Sequence, residues 1–184
     1  FLVNYHKHAV HILANYSDQG NHLLFEAQRM IYAGAFFPEF KEAPAWRKSG
    51  IDILNREINV QVYNDGGQFE LDPHYHLAAI NIFCKALGIA DVNGFRNEFP
   101  QEYLDTIEKM IMFYANISFP DYTNPCFSDA KITEKKEMLK NYREWSKLFP
   151  KNETIKYLAT DGKEGALPDY MSKGFLKSGF FVFR

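Results

Sequence analysis

A chain of 184 residues is long enough to bury one substantial core, and a single domain is the natural expectation. Hydrophobic residues at 46% and charged residues at 24% exclude a disordered chain, and a net charge of −2 argues against a protein that grips nucleic-acid phosphates. Aromatics reach 16%, with 17 Phe, 11 Tyr and 2 Trp, which suits either an aromatic-rich core or rings lining a sugar-binding groove.

In chain order, Val3 to Tyr16 carries apolar residues at helical spacing and ends at the turn-forming Ser17-Asp18-Gln19-Gly20. A second helix is expected from His22 to Phe36, with Asn21 as its N-cap and Pro38 stopping it. A third runs from Pro44 to Tyr63, closed by Asn64-Asp65-Gly66-Gly67. The fourth runs from Pro73 to Leu87 with Gly88 as terminator, and the fifth from Pro100 to Ile117. Pro120 to Asp129 reads as loop, Thr133 to Leu148 as a helix capped by Thr133, and Glu153 to Ala159 as a short last helix. Helices joined by short loops imply antiparallel neighbours, so the fold class is all-α, an array of α/α hairpins. After Gly162 the character changes. Phe175 to Arg184 is β-rich, and a second, β domain is expected to begin near Pro168, giving domains at 1–167 and 168–184. The chain opens on Phe1 and stops inside this strand-like run, so it reads as an internal fragment of a larger protein. No apolar run approaches the length of a membrane span. Cys84 in an apolar helix and Cys126 in a loop form no disulfide or zinc pattern.

Two stretches carry the chemistry. His22, Glu26 and Arg29 form one polar stripe on the second helix, and Asn21 adds a neutral donor at its positive end. The stripe fits a solvated face with an ordinary Glu26–Arg29 pair, or a face turned to a ligand. Tyr75 follows a glycine-rich turn and stands between His74 and His76, with Glu70 just upstream. A phenol ordinarily ionises near pH 10, and neighbouring cations or hydrogen-bond donors can bring it into a useful range. Tyr75 and His76 fit core or capping roles equally well. This inventory suits proton abstraction beside a carboxylate better than hydrolysis, for which Glu26 and Glu70 are the one carboxylate pair to nominate. His8 and His11, three apart, have no third metal ligand fixed by spacing. The Lys131–Lys156 run also holds Glu134, Glu137, Glu144 and Glu153 and reads as a salt-bridged face.

The stretch Gly20-Asn21-His22-Leu23-Leu24-Phe25-Glu26-Ala27-Gln28-Arg29 resembles a helix of the heparinase II/III-like polysaccharide lyases, most closely the heparinase III type. Gly34 to Phe40, Trp46-Arg47, the run from Gln61 through Asp65-Gly66 and Glu70 to Tyr75-His76, Pro120-Asp121-Tyr122, Ile155 to Gly162 and Ser178 to Arg184 continue the likeness over nearly the whole chain. The resemblance implies an incomplete α/α toroid followed by an antiparallel β-sandwich, with the active site in the cleft between them. It implies β-elimination at a uronic acid of heparan sulfate, or of alginate oligomers or another uronate polymer. Asn21 then holds the C5 carboxylate and Tyr75 transfers the proton. His22, Glu26, Arg29, Glu70 and His76 shape the subsites. The family's further catalytic His belongs to its β domain, and its metal sites lie mostly beyond this segment, so no cofactor or metal ligand is assigned here. The resemblance also implies an acidic polysaccharide as partner, a periplasmic or secreted location, and a fragment that is by itself inactive. A non-catalytic glycan-binding helical module is the alternative outside enzymes.

Overall fold

The computed structural model describes residues 1–183. Two compact units emerge, one of residues 1–61 and 78–104, the other of residues 62–77 and 105–183.

The first unit contains α1 (Leu2–Ala14), α2 (Gly20–Phe36) and α3 (Ala43–Gln61). It also holds most of α4 (Pro73–Asn93) and a 3-10 turn at Arg96–Glu98. The buried face of α2 is Leu23, Leu24, Ala27, Gln28, Met30, Ile31 and Ala33, the stripe that helical periodicity demands. Small residues bring α2 against α3. A Cβ placed on Gly50 would drive into the Ala27 carbonyl, and one on Gly34 into the Ala43 carbonyl. Trp46 is fully buried in the cluster of Ala9, Met30, Ala33 and Ala43 that seals α1 onto this pair. Gln28 is the buried polar residue of α2, and its Nε2 donates to the Ile82 carbonyl of α4 at 3.0 Å.

α4 does not stop at Gly88, as expected, but continues to Asn93. Apolar Ile89 and Ala90 extend the pattern, and Gly88 is accommodated inside the helix without a left-handed backbone. The terminating glycine is Gly94, at φ +76, with Phe95 N–H donating to the Ala90 carbonyl at 3.0 Å. At 21 residues and a mean hydropathy of 1.2, α4 reaches the length and apolarity of a membrane span, contrary to the expectation from the sequence. Half of that stretch is buried within the protein, as in the core helix of a globular fold.

The second unit holds most of α5 (Gln101–Ile117), then α6 (Lys135–Leu148), α7 (Glu153–Ala159) and two strands. α6 begins two residues later than expected, because Thr133 is not its cap. The Thr133 N–H is bound by Asn124 Oδ1 at 2.8 Å, which keeps Thr133 in the preceding loop. α7 is capped by Asn152, whose Oδ1 accepts from Ile155 N–H at 2.9 Å. The C-terminal β-rich run holds the expected strand at Phe180–Phe183 and begins earlier than Phe175, at Ser172. It is a hairpin, β1 (Ser172–Phe175) and β2 (Phe180–Phe183), antiparallel with Phe175 opposite Phe180 and Ser172 opposite Phe183. Gly179 at φ +75 closes the turn, its N–H donating to the Phe175 carbonyl at 2.8 Å. Phe175 is buried and meets Phe113 of α5 edge-on, with ring centroids 4.7 Å apart. The expected end of the strand at Arg184 lies outside the described residues.

Candidate active site

In the first unit, α2 starts two residues earlier than expected. Gly20, at φ +72, leads the chain in, and the extended Gln19 takes the cap position without a side-chain cap bond. Asn21 therefore lies inside the first turn and is not the N-cap. It is half-buried, and its Oδ1 is buried without a hydrogen-bond partner. His22, next along, is exposed.

Glu26 and Arg29 do not pair. Both Glu26 oxygens are occupied by Ser17, Oε2 by its N–H at 2.7 Å and Oε1 by its hydroxyl at 2.9 Å. Glu26 thus braces the α1–α2 connection. The Arg29 guanidinium is exposed and lies 5.4 Å from the Tyr32 ring centroid, a cation–π contact.

In the second unit, the Tyr75 entrance is built on a tight turn. Tyr63 and Gly67 pair through Tyr63 N–H to the Gly67 carbonyl at 2.8 Å, and Gly66 N–H donates to the Tyr63 carbonyl at 2.8 Å. Gly66 sits at φ +93, and a Cβ there would meet the Lys109 carbonyl, so glycine is required twice over. Asp72 then caps α4: its Oδ1 accepts from His74 N–H at 2.7 Å and Tyr75 N–H at 3.0 Å. Tyr75 is half-buried in the first turn of the helix. Glu70 is exposed, and its carboxylate accepts from Gln68 Nε2 at 3.2 Å.

His76 is a core residue, only 2% exposed. Its Nδ1 accepts from Gln68 N–H at 3.1 Å, which puts the proton on Nε2, the donor to the Met110 carbonyl at 2.9 Å. Burial, opposed by the Met110 bond, pushes its pKa down to about 4, so the ring is neutral at pH 7. The direct subsite contact expected from the sequence is not open to a ring so enclosed. His76 instead holds the turn against α5.

Sequence reasoning missed Asp65. Its Oδ2 accepts from Lys177 N–H at 2.8 Å and Ser178 N–H at 2.9 Å. Its Oδ1 accepts from the Ser178 hydroxyl at 2.6 Å and Gly67 N–H at 3.3 Å. Burial pushes the Asp65 pKa up, but these bonds outweigh it and hold the carboxyl below its ordinary value. No local pattern reveals this, because the partner lies more than 100 residues away in sequence. A cavity of about 680 Å³ in this unit is lined by Asn116, Phe119, Tyr157 and Phe181 among others, and by none of Glu70, Tyr75 or His76. Among the described residues no group of three His, Cys, Asp or Glu side chains is placed to hold a metal ion; His8 and His11 are both exposed on α1.

The half-buried Asn21 amide can donate to a carboxylate without adding charge, and the half-buried Tyr75 phenol can exchange a proton, each from the first turn of a long helix. Residues 1–157 match the heparinase II/III N-terminus model, and the chain belongs to that family. It is 90% identical over 184 residues to a heparin-sulfate lyase from Bacteroides stercoris, which covers 100% of this chain and 28% of that protein. A solved heparinase III structure matches 98% of this chain and 28% of its own at 99% identity, with a TM-score of 0.88. The crystal structure of heparan sulfate lyase from Pedobacter heparinus matches 100% of this chain and 29% of its own at 51% identity, with a TM-score of 0.84. The chain therefore shares the fold of those helical regions, the class expected from its sequence, and spans 28% of the length of the curated relatives it matches.

Proposed function

We propose that this chain is the Asn- and Tyr-bearing part of a longer polypeptide that cleaves heparan sulfate by β-elimination at a uronic acid. The observation that carries the reading is Asn21. Its side chain is neutral, lies in the first turn of a helix and takes no part in capping it, and its NH₂ is a neutral hydrogen-bond donor. The family and the activity named for its relatives supply the substrate class.

The chemistry follows from what such groups can do. The C5 proton of a uronate is acidified when its carboxylate is held by a neutral donor. The Asn21 amide donates to that carboxylate and stabilises the dianion formed as the proton leaves, as an oxyanion hole would. Tyr75, in its ionised form, takes the C5 proton. The C5–H electron pair forms the C4–C5 double bond, the C4–O bond breaks, and the leaving oxygen takes a proton. When the C5 proton and the leaving oxygen share one face, the same phenol returns its proton to that oxygen. His22 and Arg29, both exposed, are free to meet acidic groups of the polymer, and Glu70 to meet a hydroxyl. The β hairpin at 172–183 opens a β domain, which supplies the remaining catalytic groups; residues 1–184 alone are inactive. The polypeptide acts in the periplasm or outside the cell, where its polysaccharide is found.

The test is a polypeptide of the relatives' full length offered heparan sulfate, heparin and alginate, with ultraviolet absorbance reporting the unsaturated uronate. Absorbance on heparan sulfate supports the reading. Absorbance on alginate alone keeps the chemistry and changes the substrate, and cleavage without absorbance overturns it.

A further inference from the structure

We propose that Asp65 and Ser178 form a latch that positions Tyr75, tying the tight turn ahead of its helix to the β1–β2 hairpin. The inference rests on the reading of Tyr75 as the proton-transfer residue.

The path is continuous and lies within one compact unit. At one end is the hairpin turn, where Ser178 is only 5% exposed. Its hydroxyl and N–H, with Lys177 N–H, converge on the two oxygens of Asp65. Four donors on one carboxylate leave it little freedom to reorient. Gly67 packs so closely under Ser178 that a Cβ there would strike the Ser178 hydroxyl. Gly67 leads directly to Gln68, whose N–H is fixed by His76, and His76 is the neighbour of Tyr75. The hairpin is in turn anchored on α5 through Phe113, which touches Phe175, Phe180 and His76. A shift of the 176–179 turn thus reaches Tyr75 through two hydrogen-bonded side chains and one short turn. Asp65 acts on Tyr75 only through this path, as a positioning residue.

An amide cannot replace this carboxylate fully. It offers one acceptor oxygen, and its NH₂ faces backbone donors or a hydroxyl. Asp65→Asn should therefore keep part of the latch, Asp65→Ala none, and Ser178→Ala lose the 2.6 Å bond alone.

The experiment uses the full-length polypeptide with these three variants, Tyr75→Phe, and Lys48→Ala as a control that removes only an exposed ion pair of α3. Turnover of heparan sulfate and hydrogen exchange of amides 66–76 are measured in each. The expected result is a kcat loss of about 10- to 100-fold in Asp65→Ala, a smaller loss in Asp65→Asn and Ser178→Ala, and KM within about 2-fold. Exchange in 66–76 should rise in the same order, while Lys48→Ala leaves both unchanged. A normal kcat in folded Asp65→Asn and Ser178→Ala, beside an inactive Tyr75→Phe, would overturn the latch alone. So would unchanged exchange in both variants. Full turnover in Tyr75→Phe would overturn the lyase reading, and the positioning role with it.

Discussion

Burying His76 as a neutral ring makes the Tyr75 turn sensitive to acid, and the size of the effect can be worked out. Its pKa is about 4 in the folded protein and about 6.5 when unfolded. The unfolded state therefore binds the proton more readily between those values, and stability is lost as pH falls through that window. At 1.36 kcal/mol per pKa unit, the loss is about 1.4 kcal/mol at pH 5.5 and about 3 kcal/mol at pH 4. His76→Gln keeps a donor and an acceptor and removes the titration. Native-state hydrogen exchange of amides 68–77, corrected for intrinsic rates, reads local opening in both proteins at pH 7.0, 6.0 and 5.0. The native protein should lose protection steadily, and the variant should be flat over that range. An NMR titration should find no imidazole of His76 protonating near pH 6.5. Equal pH slopes in the two proteins, or a His76 titration near 6.5, would refute the reasoning.

Gly50→Ala should destabilise the first unit by about 1–3 kcal/mol, because the new methyl meets the Ala27 carbonyl; thermal melting checks this. Asp72→Ala should lose the α4 cap, costing about 0.5–2 kcal/mol, and should lower kcat by loosening the turn that carries Tyr75. Burial pushes the Cys84 thiol up to about 12, so a thiol reagent at pH 8 should label exposed Cys126 and spare Cys84 until the protein is denatured; mass spectrometry distinguishes the two.

Much of the helical framework was legible from periodicity and from the Gly and Pro residues that punctuate it. What escaped was long-range. Gly88 looked like a terminator, but helix propensity yields to the burial of Ile82, Phe83, Ala86 and Ala90 along α4. Asn21 looked like a cap because the sequence does not show that Gly20 takes a positive φ and lets the helix start earlier. Glu26 and Arg29 stand at a spacing that can pair, yet Ser17 offers Glu26 two donors, which an exposed guanidinium does not outbid. His76 stands beside Tyr75 in sequence, but a helix turns about 100° per residue, so one ring faces the core while the other is half-buried. Asp65 reads as a turn residue, and only the fold brings Ser178 to it.

Asn21 and Tyr75 are the two residues proposed to perform the elimination. The most direct measurement is the appearance of unsaturated uronate from heparan sulfate in the full-length polypeptide, its Tyr75→Phe variant and its Asn21→Ala variant. Circular dichroism should show all three folded. A loss of about 10²- to 10⁴-fold in kcat is expected for Tyr75→Phe and of about 10²- to 10³-fold for Asn21→Ala. Wild-type turnover in folded Tyr75→Phe, or cleavage that yields only saturated ends, would contradict the proposal.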